Sequence, residues 1–155
     1  MRLLFVCLGN ICRSPTAEGV MRSVLAAEGL ADRVSVDSAG TGSWHVGHAA
    51  DARARAAAAQ RGIELDSVAR QVSAADFQDF DLLLAADRSN ERDLLALAGA
   101  DPARRAKVRL LRSYDPAAVA AGDLEVPDPY YDGGFEHVLD VIEAACKGLA
   151  CAICQ

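Results

Sequence analysis

The chain has 155 residues, 52% of them hydrophobic and 25% charged, with 22 acidic against 16 basic side chains and a net charge of −6. That length and balance suit one soluble globular domain over residues 1–155 with a single core, and the acidic excess argues against a broad basic face for nucleic acid. No apolar run approaches the ~18 residues of a membrane span and the N-terminus lacks a basic-then-apolar leader, so a cytoplasmic protein without membrane partners is expected. Five cysteines, Cys7, Cys12, Cys146, Cys151 and Cys154, leave one over in any full pairing and read as free thiols.

The first predicted element is a strand over Leu3–Val6, an apolar run too short for a helix and rich in strand formers. It runs into Cys7-Leu8-Gly9-Asn10-Ile11-Cys12-Arg13-Ser14, after which Pro15–Glu28 reads as a helix. Ala17, Val20, Met21, Val24 and Leu25 recur there at helical spacing, with Ser14 as N-cap, Pro15 as first helical residue and Gly29 as stop. Glu18 adds favourable charge to the first turn. A strand turning into a helix aims the loop's N–H groups, and the helix's unpaired first-turn N–H groups, at one point where the dipole favours negative charge. Gly9 lets the backbone approach an anion, and Arg13 adds a planar fork that matches two phosphate oxygens. The Cys7 sulfur lies beneath this cradle, placed as a nucleophile.

Val34–Ser38 predicts the second strand, which completes a βαβ unit and therefore a parallel sheet. The glycine-rich loop Ser38–Gly47 then leaves the same sheet edge as the Cys7 loop, the edge where α/β sheets bind ligands. Trp44 in that loop is either packing or a ligand-facing aromatic. Asp51–Arg61 is alanine-rich and helical, capped by Asp51 and ended by Gly62; Ser73–Phe77 reads as a short helical turn. Asp81–Ala86 predicts a buried central strand, Ser89–Ala98 a helix closed by Gly99, and Val108–Leu111 the fourth strand. Arg104–Lys107 reads as a solvated connector, and His48 and His137 as surface residues without metal-ligand partners. Pro116–Pro127 predicts a long connection of the functional or mobile kind. It delivers Asp128 between Pro127 and Pro129, whose rings stiffen both sides. A rigid loop presenting one carboxylate suits a general acid, although turn aspartates are common. Phe135–Ala150 predicts the last helix, with Phe135, Val138, Leu139, Ile142, Ala145 and Leu149 on one face. The Cys151-Ala152-Ile153-Cys154 tail has no reading.

Cys7, five residues, Arg13 and Ser14 form the signature of cysteine-dependent phosphatases, and the fuller run from Val6 to Pro15 resembles the low-molecular-weight protein-tyrosine phosphatase family. Asp128-Pro129-Tyr130-Tyr131 resembles that family's acid loop. The resemblance implies a three-layer α/β fold with a four-stranded parallel sheet in the order 2-1-3-4, flanked by helices. It implies hydrolysis of phosphotyrosine and aryl phosphomonoesters through a cysteinyl-phosphate, with Cys7 as nucleophile, Arg13 as phosphate clamp and Asp128 as general acid. Leu8, Gly9, Asn10, Ile11, Cys12, Arg13 and Ser14 would hold the phosphate; Trp44, His45, Tyr130 and Tyr131 would line the substrate pocket. By the same resemblance Ser14 donates to the Cys7 sulfur, Ser38 braces the loop with Asn10, and Ser67 stands where many members carry a histidine of the Asn10 network. Cys12 matches a family cysteine that pairs reversibly with the nucleophile. No metal or cofactor is called for, because Arg13 and the loop supply positive charge. Phosphotyrosine proteins are the expected partners, and a monomer the expected state.

Two other readings stand beside this one. An arsenate reductase of the same fold needs resolving cysteines within reach of the loop, and none lies between Cys12 and Cys146. A structural zinc site would join Cys7 and Cys12 to Cys151 and Cys154, against the repulsion of Arg13 for a cation. A Walker-type nucleotide site fails for lack of its Gly-Lys-Ser/Thr.

Overall fold

The structure, a computed structural model, describes residues 1–155. In chain order the elements are β1 (Arg2–Cys7), α1 (Arg13–Ala27), β2 (Ser35–Gly40), α2 (Ala52–Ala59), α3 (Asp76–Asp79), β3 (Leu82–Ala85), α4 (Arg88–Ala98), α5 (Pro102–Ala106), β4 (Val108–Leu110), a 3₁₀ turn (Leu111–Tyr114), α6 (Pro116–Ala121), α7 (Pro129–Asp132) and α8 (Phe135–Ile153). The four strands are all parallel, in the order β2-β1-β3-β4. Successive side chains of a strand point to opposite faces, and β1 uses both. Leu3 and Phe5 enter a core formed with α1, α2 and α8, while Leu4 and Val6 enter a second one formed with α3 and α4. A strand covered on both faces must be apolar throughout, which is why the Leu3–Val6 run lacks alternation.

Several element boundaries differ from the sequence expectation. Helix α1 starts at Arg13 with Cys12 at the cap position and no side-chain cap, so Ser14 is not the N-cap and Pro15 is the third helical residue. Pro15 costs nothing there, since first-turn N–H groups have no helical acceptor; the Ser14 hydroxyl is engaged elsewhere. Gly29, at φ 72°, ends the helix as expected, with Leu30 N–H donating to Leu25 carbonyl at 2.8 Å. Strand β2 runs on to Gly40 because Gly40 pairs with Cys7. The expected connector at Arg104 is the short helix α5, with Asp101 accepting from Ala103 N–H and Pro102 at its first position. Pro116–Pro127 is not a structureless connection either. Asp115 caps α6 and Gly122, at φ 70°, ends it, a cap–proline–glycine pattern that the alanines between obscured. Helix α8 continues through Cys151 to Ile153, which packs on the larger core.

The C-terminal edge of the sheet collects the loops that matter. The chain leaves β1 for β2 in one direction and reaches β3 on the other side of β1. The β1 and β3 loops therefore flank a crevice, the usual ligand position of doubly wound sheets.

Candidate active site

The β1–α1 loop wraps around a buried sulfur. Ser14 Oγ lies 3.0 Å from Cys7 Sγ, and Asn10 N–H donates to the same sulfur at 3.3 Å. Asn10 holds a left-handed φ of 57°, a conformation asparagine tolerates better than most residues. Its amide Nδ2 donates to Ser14 Oγ at 2.7 Å and to Ser38 Oγ at 3.0 Å, and Ser38 Oγ donates onward to the buried Glu18 carboxylate at 2.6 Å. Asn10 Oδ1 accepts the Arg70 N–H at 3.0 Å. Ser67 makes none of these bonds: the backbone N–H of Arg70 takes the Asn10 Oδ1 instead. Arg70 is itself fastened by Asp37 at 3.1 Å and Asp76 at 3.0 Å.

With the loop held this way, the N–H groups of Leu8, Gly9, Ile11, Cys12, Arg13 and Ser14 have no acceptor within the protein. Converging donors of this kind, beside a helix start, form an anion cradle. A Cβ at Gly9 would sit 2.9 Å from the His45 ring, so the bare backbone lets that ring lie against the cradle.

Arg13 is buried, and the β3–α4 loop holds it. Nη1 donates to Asp87 Oδ2 at 2.7 Å and to the Val126 carbonyl at 2.9 Å, while Nη2 lies 3.7 Å from Asp128 Oδ2. Burial alone would lower the Arg13 pKa, but the sulfur of Cys7 and the carboxylates of Asp87 and Asp128 outweigh it and raise it. Asp128 is the N-cap of α7, with Oδ1 accepting Tyr130 N–H at 3.1 Å. Its carboxylate thus projects from a helix start rather than from an open loop. The Cys12 thiol goes up to about 12, through burial first and then the charges of Asp51, Cys7 and Asp128.

Cys7, Leu8, Gly9, Ile11, Cys12, Arg13, Trp44, His45, Asp128, Tyr130 and Tyr131 line one cleft of about 300 Å³. Trp44 and Tyr131 form its rim, 71% and 86% exposed, so Trp44 is not core packing. Tyr130 stands deeper, with its ring 4.9 Å from that of Tyr131, edge to face. The remaining expected residues Asn10, Ser14 and Ser38 lie behind the cleft. The cysteines of the alternative zinc reading do not assemble: Cys151 and Cys154 are exposed on the end of α8, and no three His, Cys, Asp or Glu side chains meet as a metal group. Cys146, buried in α8 with its thiol pKa raised by desolvation, offers no resolving thiol to the cleft either.

Sequence reasoning missed Asp87, and it assigned Glu18 only a helix-dipole part. Asp87 had a signal, an N-cap aspartate directly after a central strand at the ligand edge. Glu18 and Arg70 had none, because their partners are distant in sequence.

Fold and site together define a doubly wound α/β protein whose first strand and helix enclose an anion cradle floored by a thiol. The sequence profile described as low molecular weight phosphotyrosine protein phosphatase matches residues 2–155. A low molecular weight protein-tyrosine-phosphatase of Streptomyces coelicolor is 53% identical, the match covering 98% of this chain and 93% of that one. The crystal structure of a protein tyrosine phosphatase from Entamoeba histolytica, with Hepes in the active site, superposes with a TM-score of 0.92 at 41% identity, over 99% of this chain and 96% of that one. A structure described as a drosophila arginine phosphatase gives 0.91 at 34% identity, over 100% and 99% of the two chains. The chain belongs to the low molecular weight phosphotyrosine protein phosphatase family, which accounts for the expected sheet order and sets aside the arsenate reductase reading. No helix is long and apolar enough to cross a membrane.

Proposed function

We propose that Cys7, Arg13 and Asp128 hydrolyse phosphotyrosine in proteins by two covalent steps. The observation that carries this is the Cys7 sulfur, 3.0 Å from Ser14 Oγ and 3.3 Å from Asn10 N, at the floor of a cleft that Arg13 and Asp128 also line. In the first step the Cys7 thiolate attacks phosphorus in line. The S–P bond forms as the P–O bond to the tyrosine oxygen breaks, and Asp128 gives that oxygen its proton. The free loop N–H groups and Arg13 hold the three equatorial oxygens, where charge concentrates. In the second step Asp128, now a carboxylate, takes a proton from water. The water oxygen attacks phosphorus, and the sulfur leaves as thiolate, stabilised by the Ser14 hydroxyl and Asn10 N–H.

The rim supports an aryl substrate. Trp44, Tyr130 and Tyr131 offer flat apolar faces beside the cradle, and a phenyl ring stacks on such faces. The test is phosphate release from matched peptides carrying phosphotyrosine, phosphoserine or phosphoarginine, with reductant present, comparing the parent with Cys7→Ser. Turnover of the phosphotyrosine peptide that vanishes in Cys7→Ser is the expected result. Preference for phosphoarginine would overturn the substrate assignment, and undiminished turnover in Cys7→Ser would overturn the nucleophile.

A further inference from the structure

Arg53, on the first turn of α2, joins the two walls of the cleft without lining it. Its Nε and Nη2 hold the two oxygens of Asp51 at 3.1 and 3.0 Å, and Nη2 also donates to the Tyr130 carbonyl at 3.0 Å. The guanidinium carbon lies 5.6 Å from the Tyr130 ring centre and 4.9 Å from that of Phe135. Asp51 faces the other wall. It accepts the Arg53 N–H at 2.8 Å as the cap of α2, and its own N–H donates to the Ile11 carbonyl at 2.8 Å. Tyr130 in turn supplies the N–H that holds Asp128 Oδ1. A continuous run of polar contacts therefore leads from the phosphate loop at Ile11, through Asp51 and Arg53, to the residue that orients the Asp128 carboxylate.

The arrangement is not needed to fill a core. The Arg53 side chain is 50% exposed, and an exposed arginine that keeps a bidentate pair, a carbonyl and two ring contacts gives up rotamer freedom that surface arginines normally retain. What it gains is a polar tie on a short segment that is otherwise held by the buried Pro129 and by Tyr130 packed against Ile11, Cys12 and Ala69. The Asp128 side chain is itself 42% exposed, so core packing does not orient its carboxylate.

We propose that Arg53 is a positioning residue for proton donation: it fixes the acid-bearing α7 segment relative to the phosphate loop and acts on the leaving group only through Asp128. This rests on the acid role of Asp128 proposed above. General acid catalysis is worth about 10²–10⁴ in rate, and a displacement of the order of an ångström removes up to about 10². Arg53→Ala is expected to lower kcat/KM by about tenfold where the leaving group needs its proton, and by less than about twofold where it does not.

The experiment measures kcat/KM, which reports transfer to sulfur, for a series of aryl phosphates from strongly to weakly acidic phenols. The proteins are the parent, Arg53→Ala, Arg53→Lys, Asp128→Asn and the double variant Arg53→Ala/Asp128→Asn, each checked by far-UV circular dichroism. Asp128→Asn should steepen the dependence on phenol acidity, and Arg53→Ala should steepen it in the same sense but less. Arg53→Lys, which keeps the charge but not the fork, should fall between Arg53→Ala and the parent. Adding Arg53→Ala to Asp128→Asn should not steepen the dependence further. An equal loss on every substrate in Arg53→Ala, or a double variant steeper than Asp128→Asn, overturns the positioning role while leaving the acid role intact. Should Asp128→Asn itself leave the dependence unchanged, the acid role falls, and the role of Arg53 with it. If Arg53→Ala does not fold, Arg53→Lys carries the same comparison.

Discussion

Asp87 does two jobs with its two oxygens, and substitutions separate them. Oδ2 accepts from Arg13 at 2.7 Å, and Oδ1 caps α4 by accepting Asn90 N–H at 2.8 Å. The side chains are 4% exposed for Arg13 and 20% for Asp87, so the pair is close to fully desolvated. Breaking a buried pair costs about 3–5 kcal/mol when the surviving charge is left alone. Arg13 keeps the Val126 carbonyl and Asp128, which points to a loss of about 2 kcal/mol for the charge, in proportion to hydrogen bonds of charged groups. Loss of the cap adds about 1 kcal/mol. Asp87→Ala should therefore destabilise by about 3 kcal/mol, and Asp87→Asn, which retains an oxygen for the cap, by about 2 kcal/mol. Both should lower kcat/KM through a less constrained Arg13. Urea unfolding is best followed by far-UV circular dichroism, because Trp44 is 71% exposed in the folded protein and reports unfolding poorly. The buffer must lack phosphate and sulfate, since an anion bound in the cradle stabilises the native state and hides the difference. Equal losses for both variants would refute the cap contribution; losses under about 1 kcal/mol for Asp87→Ala would refute the account of how Arg13 is held.

Gly148→Ala should destabilise by more than about 2 kcal/mol through overpacking, despite the higher helix propensity of alanine, because the new Cβ would sit 1.8 Å from the Tyr114 carbonyl oxygen; a gain in melting temperature would show that α8 and the 3₁₀ turn are not packed this closely. Brief alkylation with iodoacetamide at neutral pH should modify the exposed Cys151 and Cys154, and Cys7 unless inorganic phosphate is present, but spare Cys12, whose thiol is held up to about 12, and the buried Cys146. Mass mapping that finds Cys12 or Cys146 modified as fast as the exposed pair would contradict this. The Asp51 carboxyl is held below its ordinary range, chiefly by the Arg53 guanidinium, against desolvation. A lowered folded-state pKa contributes stability that is full above the unfolded value, near 3.8, and is lost as pH falls through the folded one. The stability gap between the parent and Asp51→Asn should accordingly close on acidification from pH 7 to below that range; a gap that widens would reverse the assignment.

The parts of this protein that sequence determined alone are local ones. The apolar run to Val6, the cradle from Cys7 to Ser14, the glycine stops at Gly29, Gly62 and Gly99, and the cap Asp51 follow from backbone donors, dipoles and φ preferences within a few residues. The parallel sheet follows from βαβ connectivity, which is also sequential. Tertiary structure decided what depends on distant chain segments meeting. Arg13 draws Asp87 from the end of β3, Asn10 takes the Arg70 backbone instead of Ser67, and Arg53 reaches Tyr130 across the cleft. No propensity or spacing encodes these pairings, because each is set by where the packed sheet and helices leave a donor opposite an acceptor. Ser14 shows both levels at once. Its place at the start of a helix is legible in the sequence, but it is the second helical residue rather than the cap, and its hydroxyl engages the Cys7 sulfur because the folded loop places that sulfur 3.0 Å away.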